Sequence, residues 1–399
     1  MRRRCRLGSS KARTLVPMNL DRAFGTAGRA SLSLEKVAEA FDGDRLRQAR
    51  QLALMAKQDV AAAIGVSAAA VGQYESNVMA PRPELVGALA SALDVLPEFF
   101  SAGRPQSKLE SGDAFFRSLR STTARQRAKA TSYTEQVWEL VNVIERHVRL
   151  PEVSLPRLDA EAGQPLDPVM TARAVRQFWG LGGTPVRHLV RLLESKGIVA
   201  VLVPIVEQEV ARIDAFSTLA FDRPLMVLSV DKVDDVFRHR FTAAHELGHL
   251  LMHGEYSAGD PALERQADRF AAEFLMPTNV VRHELPSRFD MRKLAQLSEH
   301  WGVSVQALVY RSKELGLISD SAARRAYIKL HELAATPAVA SRPVRQYPGE
   351  VPGMLAQAVE LAGRSNVTIA SIAAELAWKP LRVRRLLGEV DSRPTLTLV

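Results

Sequence analysis

The 399-residue chain has one cysteine, Cys5, so it can form neither an internal disulfide nor a cysteine-type zinc cluster. Any metal must be held by His and carboxylate side chains. No apolar run approaches the ~18 residues that a membrane-spanning helix needs, and no apolar core follows the basic N-terminus as a secretory signal would require. Both absences predict a cytoplasmic protein with no membrane partner. Net positive charge is also scarce beyond the start of the chain. Of the net +9, Arg2, Arg3, Arg4, Arg6, Lys11 and Arg13 supply +6 ahead of the first acid, Asp21, which leaves +3 for the rest. Global charge therefore carries little information about nucleic acid, which must be argued from a motif. Residues 1–40 read as a basic, disordered tail, with Met18 as a second candidate start.

The apolar content, 47%, can fill the cores of the two or three domains that this length suggests. Residues 41–103 show short helical patterns broken at Gly65-Val66-Ser67, between Asn77 and Pro83, and at Pro97. Residues 104–160 combine a linker rich in Gly, Pro and Ser with a long amphipathic helix predicted over 123–148. Residues 161–320 change character: branched apolar runs at 198–203, 215–221 and 225–230 predict strands of a small sheet. Helices are then predicted over 241–253 and 262–275, the second stopped by Pro277. Residues 321–399 are read as a helical C-terminal region that includes an Ala/Pro-rich connector over 334–348. Its stretch 368–387 has a helix-turn-helix look and is assigned a structural role. The fold class expected is α+β, mostly helical.

His245 and His249 lie four apart, which on a helix puts both imidazoles on one face a turn apart, the disposition a tetrahedral zinc ion needs from two ligands. Glu246 beside them can take a proton from an attacking water. The five-residue pattern His245-Glu246-Leu247-Gly248-His249, set in an apolar helix and followed by a carboxylate-bearing helix, is more specific than a histidine pair alone. Glu255, Glu264, Glu273 and His253 are candidates for a third ligand. Ala267, Ala271 and Phe274 mark the buried face of the second helix, with Glu264 and Asp268 along its edge. Glu273 falls nine residues, or about 2.5 turns, past Glu264 and is expected on the opposite, solvated side. That favours Glu264 as ligand, with Asp268 accepting the second N–H of an imidazole. His253 is expected on the exit turn, against terminal carbonyls. The chemistry implied is peptide-bond hydrolysis with Glu246 as general base.

Between Lys57 and Ser76 two short helices are joined by Ile64-Gly65-Val66-Ser67, with Gly65 permitting the turn and Ser67 capping the second helix. In such a unit the second helix enters the DNA major groove. Ala68, Ala69 and Ala70 stand where base edges are met and can touch thymine methyls. Ser67, Gln73 and Asn77 are the polar readers, and Lys57 and Gln58 suit phosphate.

The stretch 44–100, with Ile64-Gly65-Val66-Ser67 and Gln73-Tyr74-Glu75, resembles the Cro/C1-type (XRE) helix-turn-helix repressors. The stretch 189–317, with its run from Arg240 through His249 and from Glu264 through Pro277, resembles the ImmA/IrrE metallopeptidases, and 114–156 is similar to the helical connector of fused members. The resemblance implies Zn2+ on His245, His249 and Glu264, Glu246 as catalytic base, and cleavage of a repressor- or antitoxin-like protein, or of the chain itself, that lifts repression. It implies double-stranded DNA as a partner and a homodimer as the assembly. Asp268 stands where that family often has Asn. The rival expectations are a transcription factor whose metallopeptidase-like domain is a non-proteolytic sensor, and an antitoxin-like module.

Overall fold

The computed structural model describes residues 32–109, 115–116, 123–158, 166–203, 215–229, 234–253, 260–334 and 342–389. The basic residues of the tail, Cys5, Met18 and the candidate ligand Glu255 lie outside them. Residues Ser33–Val399 form one compact unit.

The N-terminal helices Leu34–Glu39, Gly43–Leu52, Lys57–Ile64, Ala68–Glu75 and Pro83–Ala92 enclose a core that includes Val60, Val71, Val86 and Leu89, each fully buried. Burying one such aliphatic side chain contributes roughly 1.5–3 kcal/mol, so short helices that could not persist alone hold together by packing. The long helix Ala124–Glu145 follows, opened by Thr123 and Gln126 in a reciprocal capping box. Glu135 and Glu139 on this helix are buried against Arg45, Arg47 and Gln48, tying it to the helix Gly43–Leu52.

Strands β1 (Phe115–Phe116), β2 (Val199–Val203), β3 (Ala215–Thr218) and β4 (Leu225–Ser229) form one sheet in the order β1-β3-β4-β2. β2 and β4 run parallel, and the other pairs are antiparallel. Three strands were expected; β1 comes from the connecting region, and two residues are too few to show an alternating pattern. The sheet divides two cores. Val199, Val201, Val203, Phe216, Leu225 and Val227 face the core shared with the N-terminal and C-terminal helices, whereas Ala200, Leu202, Ala215, Met226 and Leu228 face the core of the half that carries His245 and His249. Burial of both faces explains why β2 reads as an unbroken apolar run.

The second core is completed by helices Pro168–Phe178, Leu189–Ser195, Val236–Met252, Pro261–Leu275, Thr278–Glu284, Met291–Trp301, Val305–Glu314 and Asp320–Ala334. The end of the stretch expected as a connector over 334–348 is built into this half, with Val236 N–H donating to the Arg342 carbonyl and Val344 N–H donating to Asp234 Oδ1 at 2.8 Å. Just past it, buried Glu350 accepts from the N–H groups of Leu189 and Val190 and pairs with buried Arg240. Met354–Gly363, Ile369–Leu376 and Pro380–Leu386 end the described chain, and among the described residues no helix is long and apolar enough to cross a membrane.

Candidate metal centre and DNA-binding helices

Two helices carry the candidate metal-ligating side chains, and local chemistry starts each one. Asp235 caps Val236–Met252 by accepting from the N–H groups of Phe237 and Arg238, both at 3.0 Å. Asp260 caps Pro261–Leu275 by accepting from Ala262 N–H at 2.7 Å, with Pro261 at the first helical position. The two helices approach closely at Gly248, where a Cβ would meet ring carbons of Phe270 at 3.0 and 3.2 Å. Glycine inside the H-E-x-x-H run thus lets the carboxylate helix lie near the imidazoles.

His245, His249 and Glu264 converge. His245 Nε2 and His249 Nε2 are 3.0 Å apart, and the Glu264 carboxylate oxygens lie 3.3 Å from the first and 3.6 Å from the second. A tetrahedral zinc with bonds of about 2.0–2.2 Å needs ligand atoms about 3.3–3.6 Å apart, so the triangle fits that ion with a small opening of the His245–His249 edge. His245 is fully buried and His249 nearly so, while the Glu264 side chain is 24% exposed, which leaves the approach from the carboxylate side.

Ring hydrogen bonds set which nitrogens face the centre. Asp268 Oδ1 lies 2.8 Å from His245 Nδ1, which makes that nitrogen the donor and leaves Nε2 with its lone pair. His249 is held by a residue that sequence reasoning put elsewhere. His253 is buried, not set against terminal carbonyls: its Nδ1 lies 2.9 Å from His249 Nδ1 and its Nε2 lies 2.9 Å from Gln266 Oε1. Burial pushes the His253 ring below the usual imidazole value, which favours its neutral form. It donates from Nε2 to Gln266, accepts at Nδ1 from His249, and leaves His249 Nε2 as a lone pair. The signal was present, because His245, His249 and His253 form one stripe of fourfold spacing.

Glu246 is buried, and Ser217 on β3 donates to its Oε2 at 2.8 Å. Nothing local in the sequence pointed to Ser217. Glu273 corrects another expectation. It faces away from the centre, yet it is fully buried rather than solvated. Burial alone would raise its carboxyl, but hydrogen bonds from Thr278 and Arg173 and the charge of Arg311 outweigh that and hold it below the ordinary carboxylate value. Its charged partners Arg173 and Arg311 come from distant segments, which helical phase could not reveal.

In the N-terminal unit, Gly65 is left-handed (φ 71°) and Ser67 caps Ala68–Glu75 by accepting from Ala70 N–H at 3.1 Å. Gln58, Ser67, Ala69 and Gln73 are exposed and Ala68 is half-buried. Lys57 Nζ sits 3.3 Å from Glu75. Asn77, expected as a reader, accepts from Gly43 N–H through Oδ1 at 2.7 Å in a left-handed backbone conformation (φ 56°). That oxygen serves the frame of the unit and is not available to a base edge.

Residues 46–100 match a family model described as Helix-turn-helix, and residues 193–313 match the peptidase M78 model, described as IrrE N-terminal-like domain. The chain thus carries an XRE-type helix-turn-helix ahead of an ImmA/IrrE-like metallopeptidase domain. A search of curated proteins returned no match.

Proposed function

We propose that this protein is a cytoplasmic DNA-binding transcriptional regulator whose metallopeptidase domain cleaves a repressor- or antitoxin-like protein, or the chain itself. The observation that carries the reading is the triangle of His245, His249 and Glu264 beside buried Glu246, in one compact unit with a helix-turn-helix.

His245, His249 and Glu264 are the residues that would hold Zn2+. Bound there, the ion would supply Lewis-acid polarisation of the scissile carbonyl and acidify the attacking water. Glu246 takes the proton from that water and delivers it to the leaving amine. Ser217 fixes the Glu246 carboxylate, and Asp268 fixes the His245 ring. Ser67, Ala68, Ala69 and Gln73 face the base edges, and Lys57 and Gln58 face the backbone phosphates.

Comparison of new protein N-termini in cells carrying the wild type or Glu246→Gln tests this. Cleavage yields at least one N-terminus, within a DNA-binding protein or within this chain, that is absent from the variant. Identical N-termini together with an altered transcript profile would establish the sensor reading instead.

A further inference from the structure

The C-terminal helices repeat the geometry of the N-terminal helix-turn-helix. Lys57–Ile64 and Ala68–Glu75 are separated by Gly65 (φ 71°, ψ 34°), Val66 and the extended N-cap Ser67. Ile369–Leu376 and Pro380–Leu386 are separated in the same way by Ala377 (φ 52°, ψ 39°), Trp378 and the extended N-cap Lys379. The leading helix has 8 residues in both cases, so the second helix starts at the same interval. At one constant offset, Val60, Ala61, Ile64, Val71 and Tyr74 correspond to Ile372, Ala373, Leu376, Val383 and Leu386, and all are buried. The turn closes on the same hydrogen bond, from Val66 N–H to Ala61 at 3.0 Å and from Trp378 N–H to Ala373 at 2.8 Å. A helix of 10 residues precedes each pair, Gly43–Leu52 and Met354–Gly363. An alanine held left-handed costs conformational energy, so this turn is imposed by the packing around it.

The outward faces differ. In the first unit they carry Ala68, Ala69, Gly72 and Gln73; the corresponding positions in the second are Pro380, Leu381, Arg384 and Arg385. No carboxylate occurs between Glu375 and Glu389. The other two cations of this segment fasten the unit: Lys379 pairs with Asp94 of the N-terminal domain, and Arg382 donates to Gln136 at 2.6 Å over the Tyr133 ring. Arg384 is 49% exposed, 2.7 Å from exposed Glu389, and packing gives no reason for two guanidinium groups on this face. Guanidinium groups suit phosphate and guanine edges, the chemistry that the alanines of the first unit lack.

We infer that residues 354–389 form a second helix-turn-helix that binds double-stranded DNA through Arg384 and Arg385 on Pro380–Leu386. The packing role expected for this stretch stands, and DNA contact is added to it.

Fluorescence anisotropy of the full chain on a labelled mixed-sequence duplex, titrated across KCl concentrations, tests the assignment. Each lost phosphate contact lowers the slope of log K against log salt by about 0.9, so Arg384→Gln/Arg385→Gln loses up to about 2 of slope and binds at least about tenfold more weakly at low salt. Arg325→Gln, an exposed cation on Asp320–Ala334 with no place in either unit, leaves affinity and slope in place. Glu389→Gln, a surface change that removes a competitor for Arg384, tightens binding, and it decides the matter should the double variant fail to fold. Unchanged affinity and slope in a folded double variant, unchanged binding in Glu389→Gln, or no duplex binding by the wild type would overturn the assignment.

Discussion

Replacement of His253 by Phe fills the same space without a ring nitrogen and so isolates the hydrogen-bond chain behind His249. In the native chain the ring accepts from His249 and donates to Gln266, both at 2.9 Å, in a nearly solvent-free setting. Loss of such an outer partner costs about 10–100-fold in metal affinity, or about 1.4–2.7 kcal/mol. The Gln266 oxygen and the His249 N–H are also left without His253, at about 1–3 kcal/mol of stability. Asp268→Ala is the milder comparison, because its side chain is 37% exposed and water can replace it on His245, which places it near the tenfold end. Competition with a chromophoric chelator gives the zinc Kd, and thermal melting of the metal-free forms gives the stability loss. His253→Gln, whose amide can both accept and donate, restores part of each. An unchanged zinc Kd in folded His253→Phe would refute the relay.

Three further outcomes follow from the packing. Glu273→Ala leaves buried Arg311 with Glu314 as its remaining carboxylate, so unfolding free energy falls by about 1–3 kcal/mol in denaturant titration, while the folded fraction still binds zinc. His239, whose ring nitrogen bonds the Glu350 carbonyl, is driven by burial down to about 4, well below the ordinary imidazole value. A depressed folded pKa means that its contribution is present above about pH 6.5 and is lost as pH falls toward 4. The shift corresponds to about 3 kcal/mol, and His239→Gln flattens the thermal-melting profile across that window. Gly248→Ala pushes a methyl against Phe270 and parts the two ligand helices, lowering stability by about 1–3 kcal/mol and weakening zinc binding in the same chelator assay.

What could be read in advance was local. The fourfold spacing of His245 and His249, the phase that separates Glu264 from Glu273, and the Gly65–Ser67 turn depend on neighbours within a few residues, and helical geometry fixes them. What could not be read depends on chain segments far apart. Ser217 reaches Glu246 from a strand, Arg173 and Arg311 bury Glu273 from two helices, and Glu350 reaches Arg240 from just past a stretch whose composition marks a connector. Asn77 falls between these cases: its left-handed backbone is a local trait, but the Gly43 N–H it accepts from belongs to an earlier helix. His253 was legible by spacing, and its burial under Pro261–Leu275 decides its role.

Metal content measured by plasma mass spectrometry on purified wild type, His245→Ala and Glu264→Ala, each verified as folded, bears most directly on the centre. Three ligands from two helices predict about one zinc per wild-type chain, almost none in His245→Ala, and loss from Glu264→Ala under mild chelation. Full zinc retention by Glu264→Ala under that chelation, or a wild type that binds no zinc, would contradict it.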